Sequence, residues 1–546
     1  MKLNKFDIYI QSLFEDENSF YSASDLIEML EKKFGITNNY ARQLILRASN
    51  DKNVIKSSVP FSFNKGQYYY MHPLRSVSLE TLTEICKKYR KPLYRLLSLL
   101  KKNNGIISMY EAIKITATPI SNPEKYKTIS LNKDLEKLKE LNFITVKTYV
   151  KTGERFIINK SEESFSDELI KKHRDKMSED TVFIVDIIRW LSSHGFITGK
   201  PIYRRKENPS VGAVLNDYLF DIYSFSKTTG FYIGEPKKED KQTIMVADIL
   251  LNRTYNNIDL ASFYDRVQSI RNSTKLGRSS RKVMPIIFYM DIEDETKKQL
   301  NNLHILNFSM EDILGIKVRE ILNNLQSLRK LIQDNFQLTE ADSVKIISTV
   351  QESLRSIEES GQIDNLKNIK GDLFETLMFT IFTSMFIRAN VEHSVFIKNP
   401  EEPQKQPYEF DLVIQGREEI IIVELKGFKN TTIINLGPKD EKNTVLWFFG
   451  KTYPIAKNYY FKNSSLEKRA IKCCYITSAS FSEEALNKLE DFNGTSIKPS
   501  ELDCYYDRKK LLKLLKEHKA LKEIRDTTGF VKTIEKYYLT EEKKNK

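Results

Sequence analysis

The sequence predicts a multidomain protein of mixed α+β and α/β class. Three observations carry that expectation. The chain has 546 residues, and at roughly 100–200 residues per domain that is enough for three or four domains. Its first 160 positions twice run through helical periodicity into a short alternating hairpin. From position 181 the pattern changes to strands alternating with helices, the texture of α/β domains.

Composition narrows the classes. Forty per cent hydrophobic residues is enough for ordinary cores and argues against wholesale disorder. The longest apolar runs, such as Phe379–Phe386, carry Thr and Ser and fall short of the ~18–20 residues of a membrane span, so no membrane partner is expected. The segment Met1-Lys-Leu-Asn-Lys-Phe-Asp7 has no apolar core of the export type, and the expected location is cytoplasmic. Cys86, Cys473, Cys474 and Cys504 form no CxxC and no Cys/His cluster. The adjacent pair reads as core thiols. A net charge of +13, from 86 Lys+Arg against 73 Asp+Glu, favours a polyanionic partner.

Residues 1–75 form the first expected module. Phe6–Phe14 is helical. Ser22-Ala-Ser-Asp25 resembles a capping box, followed by Leu26, Met29, Leu30 and Phe34 at helical spacing, and Gly35 ends that helix. Thr37 is the expected N-cap of a helix through Ala48, with Ala41, Leu44 and Ile45 inward. Val54–Phe63 and Gln67–Met71 then alternate around Asn64-Lys65-Gly66, a hairpin signal. Three helices and a two-stranded wing is the order of a winged helix-turn-helix, whose third helix enters the major groove. Its outward residues would be Asn38, Asn39, Arg42, Gln43 and Arg47, side-chain types that bond base edges and phosphates. The expected partner is double-stranded DNA.

The same order returns over 90–160, with helices at Leu93–Leu100, Met109–Ile115 and Leu131–Leu141. A hairpin of Phe143–Tyr149 and Glu154–Ile158 closes it around Lys151-Thr152-Gly153. This reads as a second winged helix. Residues 161–180 read as a polar linker or surface helix, 181–315 as an α/β domain, and 316–365 as a helical connector with Leu322, Leu325, Leu328 and Ile332 in register. Residues 366–546 form a last α/β domain with a basic helical tail.

The chemistry concentrates at 371–485. Gly371-Asp-Leu-Phe-Glu375 opens a long apolar helix. Val395–Lys398, Glu409–Ile414 and Ile420–Lys426 follow as strands. Asp411 is flanked by apolar residues and Glu424 is preceded by four of them. Carboxylates at the ends of buried strands are costly without a partner. A divalent metal is a sufficient one, held by Asp411, Glu424 and the Leu425 carbonyl. Oxygen ligands suit Mg²⁺ (with Mn²⁺ as a substitute). Lys426, two residues on, points to the same face, where it can stabilise a phosphorane or orient a water. Glu375 can face the same site.

Gly-x-x-x-Glu, then Asp, then Glu-x-Lys after twelve intervening residues resembles the PD-(D/E)xK nuclease superfamily, of restriction-endonuclease fold. Tyr475-Ile-Thr-Ser-Ala-Ser-Phe-Ser-Glu-Glu-Ala485 looks like the strand-to-helix segment of its Mrr-like branch. Phe410 stands where the family's Pro often does. The resemblance implies α/β/α domains around a mixed central sheet. It also implies Mg²⁺-dependent phosphodiester hydrolysis by Asp411, Glu424 and Lys426.

Residues 181–315 echo this plan, with Thr181–Ser193 as a helix and Phe196–Tyr203 as a first strand. Leu219-Phe220-Asp221-Ile222 mirrors Glu409-Phe410-Asp411-Leu412. Two registers follow. In one, Thr243–Leu250 is the second acidic strand, carrying Asp248, and Leu250 replaces the lysine. In the other, Gly230–Lys237 is that strand and Asp221, Glu235 and Lys237 keep the chemistry. The first is preferred, because Pro236 blocks a ladder hydrogen bond and Lys237–Lys241 reads as an exposed turn.

The combined expectation is a Mg²⁺-dependent DNA endonuclease of restriction or anti-phage type, resembling type IIS or Mrr-like enzymes. A homodimer or a live second site would be needed for a double-strand break. A cognate methyltransferase or defence partner would be encoded separately. The alternatives are a non-catalytic DNA-binding regulator on a nuclease-like scaffold and an RNA-cleaving defence nuclease.

Overall fold

In the computed structural model, residues 3–539 are described apart from 17–18, 52, 63–67, 76, 121–130, 150–151, 207, 228–241, 276–281, 335–337, 403–406, 428–431 and 464–468. The chain is a mixed α/β protein with several small sheets. It divides into two compact units. One is Met1–Ile184 with Ile188–Ser309, and the other is Val185–Ile187 with Met310–Lys546.

The first unit opens with α1 (Lys5–Ser12), β1 (Phe20–Ser22), α2 (Ala23–Phe34), α3 (Asn38–Asn50), β2 (Lys56–Ser57) and β3 (Tyr69–Met71). The expected capping box is present: Asp25 N–H donates to Ser22 Oγ at 3.0 Å and Ser22 N–H to Asp25 Oδ2 at 2.9 Å. Gly35 closes α2 in the left-handed region at φ 63°. Ile10, Leu26, Leu30, Ala41 and Ile45 meet in one cluster. Strand β1 was not anticipated. It pairs with β3, giving the sheet order β1-β3-β2. The strand expected over Val54–Phe63 shrinks to two residues. Ser58 accounts for this: its hydroxyl donates to the Phe61 carbonyl and accepts from Tyr69 N–H, turning the chain out of the ladder. The turn Asn64-Lys65-Gly66 lies outside the described residues.

After α4 (Leu79–Tyr89), the second module repeats the plan with α5 (Lys91–Lys102), β4 (Ile106–Ser108), α6 (Met109–Thr116), α7 (Leu131–Glu140), β5 (Ile144–Tyr149) and β6 (Glu154–Asn159). Its sheet order, β4-β6-β5, matches the first. Phe61, Tyr69 and Met71 of the first module share a core with Leu96, Leu100, Leu135 and Ile157 of the second. Of the two readings of 161–180, polar linker or surface helix, the helix forms as α8 (Ser166–Glu179), and it also buries Ile170, His173 and Met177. Its buried residues, Ser166, Ile170, His173 and Met177, recur at spacings of three and four among many charges, and two of them are polar, which hides the stripe from a composition reading.

Helix α9 (Ile184–Ser193) leads to β7 (Ile202–Tyr203), β8 (Ala213–Leu215), β9 (Tyr218–Phe220), β10 (Ile222–Ser226), β11 (Thr243–Leu250), α10 (Asn257–Lys275), β12 (Val283–Tyr289), α11 (Asp294–Asn302) and β13 (Leu306–Ser309). Of the strand expected over Phe196–Tyr203, only β7 forms. Five of these strands make a sheet in the order β7-β10-β11-β12-β13. The first two pairings are antiparallel and the last two parallel.

The second unit begins with α12 (Met310–Leu314), α13 (Val318–Asp334) and α14 (Glu340–Glu359), the expected connector. It continues through α15 (Lys367–Met385), β14 (Asn390–Ile397), β15 (Tyr408–Gln415), β16 (Glu419–Lys426) and β17 (Ile433–Ile434). The short α16 (Val445–Trp447), α17 (Tyr453–Asn463), β18 (Ala470–Thr477), β19 (Ser480–Phe481), α18 (Glu483–Asn493), β20 (Tyr505–Tyr506) and α19 (Arg508–Glu517) follow. Its sheet order is β14-β15-β16-β18-β20, again two antiparallel pairings and then two parallel ones. Ile420, Ile422, Phe448, Cys473 and Tyr475 lie in the core on one face of this sheet. All four cysteines are buried and free. Among the described residues, no helix is long and apolar enough to cross a membrane.

The two N-caps of the first module make different contributions. Ser22 bonds into its helix, whereas Thr37 makes no side-chain cap bond. Ser22→Ala is expected to lower stability by ~1 kcal/mol and Thr37→Ala by less than half of that, measured by urea unfolding.

Candidate active site

In the second unit the site lies where β15 and β16 run side by side. Leu412 is paired with Val423, so the next residues toward the strand ends, Asp411 and Glu424, stand across from one another. Alternation turns both to one face, and Lys426 returns to that face two residues later. The Leu425 N–H donates to Asp411 Oδ2 at 2.6 Å. Lys426 Nζ lies 2.7 Å from Glu424 Oε1 and 3.3 Å from Asp411 Oδ2, and donates to the Leu425 carbonyl at 3.0 Å. The end of β18 pins this strand: Thr477 Oγ1 and the Ser478 N–H both donate to the Lys426 carbonyl.

Helix α15 brings Glu375 near enough for its charge to act on Lys426. The approach depends on Gly427. A Cβ there would stand 2.7 Å from Phe374 Cβ, so only glycine lets α15 come so close to the end of β16.

Among the described residues, Lys426 is the ammonium that bridges Asp411 and Glu424. Burial, with Asp411 adding to it and Lys426 only partly opposing it, pushes the Glu424 carboxyl up to about 7. Burial disfavours the Lys426 ammonium, but Asp411 and Glu424 outweigh that and hold it protonated well above the ordinary lysine range. Asp411 and Glu424 are each 9% exposed, buried enough to need compensation and open enough to be reached. Among the described residues, no three His, Cys, Asp or Glu side chains group as a metal cage. Asp411, Glu424 and the Leu425 carbonyl are oxygen donors of the kind that Mg²⁺ takes while keeping several waters.

Tyr475 was quoted in the sequence only as part of a strand. It is paired with Glu424 across β16 and β18, it is fully buried, and its hydroxyl has no hydrogen-bond partner among the described residues. Burial pushes this phenol up, with Lys426 opposing and Glu424 adding. Its signal in the sequence was a lone polar tip within Cys-Cys-Tyr-Ile.

The first unit repeats the register and changes the electrostatics. Ile222 is paired with Ala247 as Leu412 is with Val423, so Asp248 occupies the place of Glu424 and Leu250 that of Lys426. The Ile249 N–H donates to Asp221 Oδ2 at 2.8 Å, the counterpart of Leu425 and Asp411. The alternative register through Glu235 and Lys237 is not the one the ladder adopts. Thr243–Leu250 is an unbroken apolar strand apart from Asp248, whereas Gly230–Lys237 carries two glycines and a proline. Glu235 and Lys237 lie outside the described residues.

Asp221 is fully buried and saturated. Tyr110 Oη donates to its Oδ1 at 2.6 Å, Arg204 Nη1 to the same oxygen at 3.3 Å, and Lys114 Nζ to Oδ2 at 2.6 Å. Burial alone would raise this carboxyl, but Lys114 and Arg204 hold it at about 2. Arg266 bonds both oxygens of Asp248. Asp180 lies 3.6 Å from Arg204. Three carboxylates thus meet three cations.

On α3, Asn38, Asn39, Arg42, Gln43 and Arg47 are all exposed, and Ala41, Leu44, Ile45 and Ala48 are buried. Tyr40 and Leu46 also reach the surface, at 40% and 56% exposure. Their apolar character assigns them inward on an amphipathic helix, so pattern alone does not place them at the surface. The helix carries no acidic residue.

No protein-family model, curated protein or solved structure matches the chain.

The raised Glu424 carboxyl has a pH consequence. Between pH 4.5 and about 7 the native state keeps a proton that the unfolded chain releases. The metal-free unit therefore loses stability as pH rises through that window. A metal must displace the same proton. The Mg²⁺-induced rise in melting temperature is expected to grow from about pH 6 to about pH 8, and Glu424→Gln should abolish that growth in a thermal-shift series.

Proposed function

We propose that the protein is a metal-dependent DNA endonuclease. Its second unit is a nuclease domain of the PD-(D/E)xK, restriction-endonuclease-like type, and its two N-terminal modules are winged helices, the first of which holds the duplex. The observation that carries this reading is the convergence of Asp411, Glu424 and Lys426 on two neighbouring strands, with both carboxylates buried and that of Glu424 pushed up to about 7. An ordinary hairpin bearing surface ion pairs would not bury its carboxylates or lift one of them to about 7.

The division of labour follows from side-chain chemistry. Asp411, Glu424 and the Leu425 carbonyl would hold Mg²⁺ or Mn²⁺. When bound, the ion supplies charge neutralisation at the phosphate and a more acidic water. Asp411, fixed by the Leu425 N–H, sets the position of the ligand cage. Lys426 is fully charged and within reach of both carboxylates, so it can turn to a phosphate oxygen and stabilise the added charge of the phosphorane. Glu375 lies on the helix side of the site, where it can orient water.

Duplex binding rests on α3. A helix with Arg42 and Arg47, four amide side chains and no acid suits the major groove and its flanking phosphates. Its counterpart α7 exposes Glu136 and Glu140 beside Lys133 and Lys139, which suits DNA less well. The saturated centre around Asp221 supports one open site per chain. One such site cuts one strand per event, so a double-strand break requires two chains.

The test is cleavage of supercoiled plasmid, methylated and unmethylated, in Mg²⁺. Wild type should nick or linearise it. EDTA, Asp411→Ala or Lys426→Ala should reduce the rate at least about 100-fold, as loss of a charge-stabilising group does, and Asp221→Asn should leave it within a few-fold. Binding without cleavage on every substrate would favour a regulator on a nuclease-like scaffold. Cleavage of RNA alone would replace DNA as the substrate.

A further inference from the structure

The Asp221–Asp248 pair of the first unit has the carboxylates of a metal site and an ammonium that belongs to another element. In the second unit the ammonium between the two acids comes from β16 itself, through Lys426. In the first unit the strand position is Leu250, yet an ammonium still bridges the pair. Lys114 Nζ is 2.6 Å from Asp221 Oδ2 and 3.5 Å from Asp248 Oδ1. We propose that this is a cation site whose metal has been replaced by Lys114, so that α6 of the second module is the permanent occupant of the first unit's centre.

Helix α6 is built to deliver that group. Its N-terminus is fixed by a capping box between Ser108 and Glu111, and Glu111 is held in turn by His173 of α8. Tyr110 and Lys114 are four residues apart and share one face. One bonds Asp221 Oδ1 and the other Oδ2. The C-terminal end is anchored as well. Arg95 donates to the carbonyls of Ile115 and Thr116 and pairs with Asp265 of α10, and Ser262 of α10 donates to the Lys114 carbonyl. The helix is therefore clamped at both ends with its ammonium in the centre.

Charge explains why a lysine from another element can occupy this centre. Two carboxylates at buried strand ends need compensation wherever it comes from. Arg204 and Arg266 supply part of it, and Lys114 completes it where Leu250 cannot. Asp221 is itself fully enclosed with both oxygens bonded, so no ligand position is left on it for a divalent ion; the pocket that opens beside it is lined by Tyr110, Lys114, Arg204, Asp248 and Arg266. The second module is thereby fixed to the sheet that follows it, and a duplex cannot be cut at this centre.

The test uses the full chain carrying Glu424→Gln, which silences the second centre, and reads the melting temperature with and without Mn²⁺. Lys114→Ala should lower the transition by about 5–10 °C, the shift expected when one partner of a buried ion pair is removed. Adding Leu250→Lys, which returns an ammonium to the strand, should recover more than half of the loss. Mn²⁺ should stabilise the Lys114→Ala protein and leave the Lys114-containing one unchanged. If Lys114→Ala prevents folding, recovery of a folded protein by Leu250→Lys supports the inference. The inference is overturned if Lys114→Ala has no effect, or if neither Leu250→Lys nor Mn²⁺ restores the loss. It is also overturned if Mn²⁺ stabilises the Lys114-containing protein and Asp221→Asn removes that effect.

Discussion

A carboxylate at the end of a buried strand needs a positive charge beside it, and that need organises both units of this protein. Taking one such ion out of water costs several kcal/mol unless it is paired. The sheet geometry creates the need twice. Adjacent strands place Asp411 beside Glu424 and Asp221 beside Asp248, and in both places the following backbone N–H donates to the first acid. What differs is the source of the compensating charge. One pair is bridged by Lys426 from its own strand. The other is closed by a lysine and two arginines.

This difference links packing to function. Where side chains satisfy the acids, the acids act as fasteners: Tyr110, Lys114 and Arg204 converge on Asp221 and tie a helical module to a sheet. At the other centre burial pushes the Glu424 carboxyl up to about 7, which is the basis for proposing that an external cation binds there. The same strand order and register serve both ends. The outcome turns on one strand position, Lys426 against Leu250, and on whether a neighbouring helix covers the cleft. The source of the compensating charge therefore separates the two centres better than fold does, since the fold is present twice.

Much of this was legible in the chain. The helix pairs, the capping box at Ser22, the strands bearing Asp411 and Glu424 and the preferred register through Asp248 all came from spacing and alternation, which are local properties. Short strands were less legible. Strand β1 has three residues and β2 has two, and their existence depends on pairing with β3, at a distance in sequence that periodicity does not reach. Helix α8 was legible as one of two readings, but its charges hid the face it buries. The role of Lys114 was out of reach for a stronger reason. It lies 107 positions from Asp221 in the sequence, in a helix whose pattern fully explains its charges as a solvated face. Tyr475 was similarly masked by the apolar strand around it.

The most direct test of the account is where a divalent ion binds. Mn²⁺ binding to the full chain, followed by electron paramagnetic resonance at neutral pH, separates the two centres without requiring a known substrate. The account predicts that Asp411→Asn abolishes the bound signal and that Asp221→Asn leaves it intact. A signal that survives Asp411→Asn, or one that Asp221→Asn removes, would contradict it.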